Sequence, residues 1–300
     1  MKPRLVLAAV LAVAIPLAPV QAQTDELASA EAAVKERIAE SHAEVGVSFR
    51  TLDGKAEWEF HADDAFHAAS TMKIPVMIDL FDQEWEGKLR LGDPISIHHE
   101  FRSIVDGSPF KLDPADDSEF DLYKAKGQTR TLRQLCELMI TVSSNVATNL
   151  IVEKLGVENI RATVKTLGAD GVHVLRGVED QKAFDKGLNN TVTARGLQIL
   201  LAAIASGKAV SPEASRQMIE ILERQRFNEG IPAGLPTGTR VAHKTGEITK
   251  IHHDAAIVFA PRPFVLVILV RGIADKKESA VLIADIALLL YAAIQQQGQP

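Results

Sequence analysis

Ser70 and Lys73 have the spacing of a catalytic pair at the start of a helix. The apolar run around Pro75 predicts a buried helix, with Ser70 at or just before its first turn. Residues three apart share a helix face, so the Lys73 amine can reach the Ser70 hydroxyl. Free backbone N–H groups and the positive helix end favour the oxyanion that forms when serine attacks a carbonyl. A desolvated lysine has a lowered pKa and can serve as the base.

Two other polar clusters accompany this pair. Ser-x-x-Lys alone is a weak signal, because both residues are common and a capping serine before a solvated lysine has the same spacing. A Ser-Ser-Asn sequence at 143–145 interrupts two apolar helices, where helix capping is the structural alternative. A Lys-Thr-Gly sequence at 244–246 follows the helical region. The order of the three clusters, rather than any one of them, indicates chemistry.

The elements that must position these clusters predict a mixed α/β fold. Helical patterns cover 29–41, 131–140, 146–155, 193–206, 212–225 and 276–293, and strand patterns cover 45–51, 56–61, 255–260 and 264–270. Residues 84–129 and 171–190 lack periodicity and are interpreted as loops, the first with short helical pieces. Both chain ends are expected to build one antiparallel sheet flanked by helices (23–65 and 228–300), with an all-helical part (66–227) inserted between them.

Capping signals specify the helices around the second cluster. Thr131 and Gln134 match a capping box, after which apolar residues recur on one face. Ser144 or Asn145 can cap the following helix, and Gly156 is a typical C-terminal signal.

The composition fits an exported globular protein. The 300 residues are 46% apolar, enough for one large domain or two intergrown ones.

Residues 1–22 have the features of a secretory signal peptide. They combine Lys2 and Arg4, an apolar run too short for a typical membrane span, and a small-residue site ending at Ala22. Cleavage would change the formal net charge from −6 to −8, since the leader holds two cations and no acid. We expect a periplasmic monomer without membrane or nucleic-acid partners, secretion to the medium being the alternative.

Cysteine and histidine usage argues against a disulfide or a metal site. Cys136 is the only cysteine, so no internal disulfide is expected and core packing is its expected role. His98 and His99 are adjacent, but the chain has no His-x-His-x-Asp-His cluster that would support a zinc hydrolase. No metal or other cofactor is expected.

The three clusters, in this order and rough spacing, resemble the motif set of the penicillin-recognising serine enzymes. The chain resembles the class A β-lactamases over most of the mature sequence, from the first hairpin to the last helix. That resemblance implies a β-lactamase/transpeptidase-like fold and a serine β-lactamase acting on a small-molecule β-lactam.

The resemblance also implies catalytic roles. Ser70 would be the acylated nucleophile, Lys73 its basic neighbour, and Ser143 the relay of a proton to the departing lactam nitrogen. Glu179 lies 36 residues after Ser143, the family's interval, and would activate the water that frees the acyl-enzyme. From the residues alone, a loop glutamate is more often simply solvated. The base for acylation is either Lys73 or Glu179 acting through water.

Substrate-binding roles follow from the same resemblance. Asn145 would hold the substrate's side-chain amide, and Lys244 with Thr245 would bind its carboxylate beside Gly246. The oxyanion hole would be the backbone N–H groups of the nucleophile and Glu247. Three other residues are candidates to add positive charge for the carboxylate, and spacing singles out none of them: Lys250, His252 and His253.

Three positions depart from the family pattern. Ser144 stands where the family usually has aspartate, so part of the hydrogen-bond network between the two helices must be rebuilt with a hydroxyl. Ala183 stands where an asparagine shares the water with the glutamate, and Gly177 where an arginine pins the loop. In family members that have a disulfide, the cysteine that would pair with Cys136 falls at the position of Met77. This agrees with an unpaired Cys136.

Two other functions remain open from the sequence. A D-alanyl-D-alanine peptidase or esterase on the same scaffold would keep the acylation machinery but turn lactams over slowly. A non-catalytic β-lactam sensor would share the fold, since fold does not determine function, but the chain has no apparent signalling segment.

Overall fold

The computed structural model describes residues 20–295, with side chains from residue 26 onward. The helices are α1 (Val20–Ser41), α2 (Lys73–Trp85), α3 (Phe120–Lys124), α4 (Leu132–Thr141), α5 (Asn145–Leu155), α6 (Val157–Thr166), α7 (Gln181–Asp185), α8 (Ala194–Ala205), α9 (Pro212–Leu222) and α10 (Lys276–Gln295). Short 3-10 turns occupy Ala69–Met72, Pro114–Asp116 and Ile231–Gly234. The strands are β1 (Glu44–Thr51), β2 (Glu57–Phe60), β3 (Phe66–His67), β4 (Pro94–Ser96), β5 (Glu100–Arg102), β6 (Pro109–Lys111), β7 (Thr129–Thr131), β8 (Thr191–Val192), β9 (Arg240–Ile248), β10 (Ile251–Phe259) and β11 (Phe264–Arg271).

Five strands from the two ends of the chain form one antiparallel sheet in the order β2-β1-β11-β10-β9. The sheet joins β1 to β11 with Val47 opposite Ile268 and β9 to β10 with Lys244 opposite Ala255. The predicted fold class, a sheet built from both chain ends and flanked by helices, is therefore confirmed. The predicted domain limits at 65 and 228 stay predictions.

Both faces of the sheet are buried. Because successive side chains of a strand point to opposite faces, the apolar run of β11 supplies two cores at once. Leu266 and Ile268 pack with residues of α1 and α10, whereas Val267 and Leu269 belong to the core shared with the helices of the middle segment. α10 is long and apolar enough to cross a membrane, but its buried residues cover this sheet.

The helices around the second motif begin and end as their sequence signals predict. Thr131 caps α4 in a complete capping box with Gln134. The Ser144 side chain caps α5, and Gly156 ends it with φ of +80°.

Four expectations about secondary structure need correction. Residues 171–190, interpreted as a loop, contain the short helix α7. Residues 84–129 contain three short strands, β4 to β6, beside helical pieces, because paired backbone groups satisfy each other there without a periodic sequence. The helix α6 was missed, since its buried residues are few in a largely polar stretch. The first helix begins at Val20 rather than 29. Residues 1–19 of the predicted leader lie outside the described residues, so the leader stays a prediction.

Candidate active site

Ser70 lies in the 3-10 turn that runs directly into α2. The preceding residue, Ala69, has φ of +43°, and its N–H donates to His67 Nδ1 at 3.0 Å. Such left-handed backbone costs a non-glycine residue about 1–3 kcal/mol and must be held by its surroundings. Ser70 is half-buried, and its hydroxyl makes no hydrogen bond to any described residue. The hydroxyl is thus open to a substrate.

The Lys73 amine points into the second motif. Lys73 is fully buried one turn after Ser70, and its Nζ donates to the Ser143 carbonyl (2.8 Å), Ser143 Oγ (3.1 Å) and Asn145 Oδ1 (3.0 Å). Helix geometry predicts that the amine can reach the Ser70 hydroxyl, but in the structure its hydrogen bonds go to the elbow between α4 and α5. The side chain therefore ties the first motif to the second.

Ser143 turns the chain between α4 and α5 with φ of +59°. Its hydroxyl lies between two lysines, because Lys244 Nζ also donates to Ser143 Oγ at 3.1 Å. A hydroxyl that accepts from two amines keeps its own proton free to donate elsewhere. This geometry suits a group that passes a proton from an amine to a substrate.

β9 carries the third motif against the start of α2. A Cβ placed on Gly246 would lie 3.1 Å from Thr71 N and 3.2 Å from Ser70 N, closer than most side chains tolerate. The glycine thus lets the strand backbone approach the nucleophile's turn. Thr245 is 8% exposed and lines the cleft beside Ser70. The Glu247 carboxylate also lines the cleft and pairs with Lys276 at 2.5 Å.

The two buried lysines that share the Ser143 hydroxyl both have lowered pKa values. Loss of water lowers the pKa of Lys73 to about 7, although the charges of Asp117 and Glu179 act in the raising direction. Burial, followed by the neighbouring Lys73 charge, lowers the pKa of Lys244 well below its usual value. A lysine with a pKa near neutrality has a substantial unprotonated fraction and can accept a proton from serine.

Glu179 lies in the same cleft as Ser70. Asn145 Nδ2 donates to Glu179 Oε1 at 3.3 Å, so one amide side chain bridges Lys73 and the glutamate. The side chain is exposed along the cleft, yet burial by the surrounding protein is the main cause that raises the pKa of its carboxyl. Asp116 raises it further, and Lys73 opposes this. With φ of +61°, Glu179 is the third residue of left-handed backbone at the site.

The loop that carries Glu179 is held from both sides. Asn149 of α5 clamps the preceding residue, accepting from Val178 N (2.7 Å) and donating to Val178 O (3.0 Å). On the other side, Asp180 caps α7 and accepts from Ile104 N at 3.0 Å. The glutamate is therefore the central residue of a clamped tripeptide.

Arg176 pins this loop, a role that the sequence interpretation left vacant at Gly177. Arg176 is 6% exposed, and its guanidinium donates to Leu188 O (2.9 Å) and Asn189 Oδ1 (3.1 Å), closing the loop upon itself. Gly177 packs against Asn149, whose Oδ1 would lie 2.3 Å from an added Cβ. Position 177 thus has no room for a side chain, and the neighbouring arginine supplies the contacts. No sequence spacing signalled this shift.

The cleft around Ser70 has two lobes. One lobe, about 420 Å³, contains Ser70, Ser143 and Thr245, and the other, about 510 Å³, contains Ser70, Arg176 and Glu179. Ala183 is fully buried beside the second lobe and offers no side-chain amide near the glutamate.

The other candidate cations differ in position. Lys250 and His252 line the cleft, but His253 is fully buried and donates from Nε2 to His67 O at 2.9 Å. Burial lowers the pKa of His253 to about 4, so this ring is neutral and anchors β10 beside the nucleophile's turn. His253 therefore supplies no charge for a substrate.

Cys136 is buried and unpaired, and burial raises the pKa of its thiol to about 12.

Sequence reasoning also missed the interaction of Asp117 with the elbow. This buried carboxylate accepts from Asn145 N at 2.9 Å and Val146 N at 3.0 Å, at the first turn of α5. It comes from a loop 27 residues before Ser144, and no local pattern links the two.

Fold and site together define a class. The fold is an antiparallel sheet flanked by helices, and the site combines a serine at a helix start with two buried lysines. This is the arrangement of an acyl-transfer enzyme. The family model described as "Beta-lactamase enzyme family" matches residues 29–294. The chain therefore belongs to the beta-lactamase enzyme family.

Relatives and solved structures agree with this assignment. A beta-lactamase from Bacillus licheniformis is 28% identical over 176 residues, covering 56% of this chain and 57% of that protein. Beta-lactamase ROB-1 from Haemophilus influenzae is 26% identical over 260 residues, covering 84% of this chain and 80% of that protein. The structure of PBP-A matches with a TM-score of 0.75 and 26% identity, covering 90% and 96% of the two chains. A class A beta-lactamase variant of the last common ancestor of Gram-negative bacteria matches in fold with a TM-score of 0.76 and 24% identity, covering 90% and 99%.

Proposed function

We propose that the protein is a serine β-lactamase that opens the lactam amide through an acyl-enzyme on Ser70. One observation carries the proposal: the buried Lys73 amine, the Ser143 hydroxyl and the Glu179 carboxylate converge on the cleft into which the free Ser70 hydroxyl opens. The family membership and the relatives' names support the same substrate class.

Acylation begins with attack of Ser70 Oγ on the lactam carbonyl. The proton leaves to the Lys73 amine, which has an available lone pair near pH 7, or through water to Glu179. The oxyanion accepts hydrogen bonds from the backbone N–H groups of Ser70 and Glu247. Ser143 then gives its proton to the departing nitrogen and recovers one from Lys73, leaving the ring opened and Ser70 esterified.

Deacylation uses Glu179 as the base. Its carboxylate takes a proton from a water that attacks the ester carbonyl, and the opened product leaves as Ser70 regains its proton. Lys244 and Thr245 bind the substrate carboxylate, and Asn145 holds the side-chain amide. These residue roles come from the motif resemblance together with the distances above.

A second candidate is a D-alanyl-D-alanine carboxypeptidase or esterase with slow lactam turnover. The buried Ala183 favours it, because position 183 supplies no second amide, besides that of Asn145, to share the hydrolytic water with Glu179. One structural neighbour, a PBP-A mutant, is described as an acyl-enzyme complex with penicillin G.

Steady-state hydrolysis of nitrocefin and benzylpenicillin tests the proposal. The wild type is expected to turn over both repeatedly, and Ser70→Ala to turn over neither. Stoichiometric acylation by the wild type without further turnover, combined with release of D-alanine from a D-alanyl-D-alanine peptide, would favour the second candidate.

We further propose export to the periplasm, on the pattern of residues 1–22. Fractionation of expressing cells, with N-terminal sequencing of the exported form, is expected to give a periplasmic chain that begins near Gln23. A full-length chain in the cytoplasmic fraction would contradict this.

A further inference from the structure

The elbow that holds the catalytic groups depends on a carboxylate from a distant loop. Asp117 follows the 3-10 turn Pro114–Asp116 and is 7% exposed. Its carboxylate accepts five hydrogen bonds: from Asn145 N (2.9 Å), Val146 N (3.0 Å), Glu119 N (3.1 Å), the Tyr123 hydroxyl (3.2 Å) and Ser144 Oγ (3.4 Å). A buried carboxylate with this many donors is held in one orientation.

Two of these donors are the free N–H groups at the first turn of α5. A negative charge at this position is stabilised by the helix dipole and by direct hydrogen bonds. The Ser144 hydroxyl caps the same helix but bonds to Ala147 N, one position further on. Asp117 and Ser144 thus share the capping of α5, and it is the Asp117 carboxylate that accepts from the backbone N–H of Asn145.

The backbone of Asn145 matters because its side chain connects the other groups. Its Oδ1 accepts from Lys73 and its Nδ2 donates to Glu179, while the carbonyl of Asp116 accepts from the same Nδ2 at 3.0 Å. The adjacent residues Asp116 and Asp117 therefore hold Asn145 at both its amide side chain and its main chain.

We propose that Asp117 is a positioning residue for acylation, which fixes Asn145 and, through it, the Lys73 amine. It supplies from a separate loop the carboxylate that the second motif lacks, since position 144 is serine. The inference rests on the proposed function for its substrate, but its physical content is the placement of Lys73 relative to Ser70.

The charge of Asp117 adds an electrostatic consequence that a purely structural cap would not have. The charged groups facing the Lys73 amine are Asp117, Glu179 and Lys244. Loss of the Asp117 charge removes a raising influence, so the pKa of Lys73 falls below about 7. The unprotonated amine then persists to lower pH, and the acid limb of the acylation profile moves down.

Asp117→Asn is the direct test, with Asp113→Asn as the matched control. Asp113 lies in the same loop and carries the same charge, but its side chain caps the 3-10 turn by accepting from Ala115 N, within its own loop. The readout is the rate constant for Ser70 acylation by benzylpenicillin, followed by intact mass from pH 5 to 9, with the melting temperature recorded for each variant.

Asp117→Asn is expected to slow acylation about 10- to 100-fold, as for a misplacement of catalytic groups by about 1 Å, and to shift the acid limb to lower pH. Asp113→Asn is expected to match the wild type in both respects. If Asp117→Asn lowers the melting temperature while its acylation rate and pH profile equal those of the control, Asp117 is only a helix cap and the proposal fails.

A double variant that relocates the carboxylate keeps the test decisive if Asp117→Asn does not fold. Asp117→Ser combined with Ser144→Asp moves the carboxylate across the 3.4 Å contact onto the helix. This double variant is expected to fold and to acylate within about tenfold of the wild type. A double variant no better than Asp117→Ser alone contradicts the proposal.

Failure of the proposed function gives a different result. A wild type that acylates without turnover refutes the lactamase and leaves the comparison of acylation rates intact. If the wild type is not acylated by the lactam at all, the labelling rate of Ser70 by a fluorophosphonate probe gives the same comparison between Asp117→Asn and Asp113→Asn.

Discussion

Replacing Glu179 by glutamine separates the two halves of the proposed reaction. Glutamine keeps the size of the side chain and an oxygen for Asn145, but it cannot accept the proton of a water. Loss of a general base costs about 10²–10⁴-fold, so deacylation is expected to slow by that factor and the acyl-enzyme to accumulate on Ser70. Acylation is expected to continue, because the Lys73 amine remains.

The pH dependence of acylation in this variant identifies the base. The pKa of Lys73 is about 7, and loss of the Glu179 charge moves it lower. Acylation should therefore be constant at high pH and fall about tenfold per pH unit below a midpoint at or under 7. Stopped reactions from pH 5 to 9, analysed by intact mass, provide the rates. Asp185→Asn, which removes a charge from the end of α7 in the same loop, is the control and should behave like the wild type.

Acylation that falls together with deacylation, with no adduct accumulating in Glu179→Gln, would refute this assignment of the base. That result would mean that the glutamate is also the base for acylation. Lys73 would then have a purely electrostatic role.

Three further perturbations test how the site is held. Gly246→Ala places a Cβ 3.2 Å from Ser70 N, so we expect kcat/KM to fall about 10- to 100-fold with the melting temperature little changed; unchanged kinetics would contradict this close packing. Arg176→Ala removes the buried pin of the glutamate loop and should destabilise the protein by about 2–4 kcal/mol in urea unfolding. It should also raise the pKa of Glu179 and shift the acid limb of deacylation upward, and an unshifted limb would count against the charge argument. Thr131→Ala removes the N-cap of α4 and should cost about 1 kcal/mol with activity retained, which denaturation and nitrocefin assays can check.

Local signals predicted the parts of the fold that depend on neighbouring residues. The capping box at Thr131, the Ser144 cap and the left-handed Gly156 each involve residues within one helical turn, and each is present. The β11 run was predictable because a strand covered on both faces is apolar throughout. In contrast, α6 buries few apolar residues and gave a weak pattern.

The sequence predicted the site residues that belong to recognisable motifs. It did not predict the residues that support the site through tertiary contacts. Motif order pointed to Ser70 and Lys73, and the family's interval after Ser143 pointed to Glu179. Ser70 and Glu179 line one cleft, and the Asn145 amide bonds to both Lys73 and Glu179. Asp117 contacts α5 from a loop with no pattern of its own, and Arg176 replaces a contact that the resemblance assigned to the next position. Such substitutions of one supporting residue by another depend on packing in three dimensions, so a single sequence does not reveal them.

The proposed function requires one cleft both to form and to hydrolyse an ester on Ser70. The intact mass of the wild-type protein, mixed with benzylpenicillin and followed over time, reports on both steps. We expect an adduct of one penicillin per chain that forms, maps to Ser70, and then disappears as free enzyme and opened penicillin accumulate. An adduct that forms and persists for hours, or a protein that never gains mass while the drug stays intact, would contradict the account.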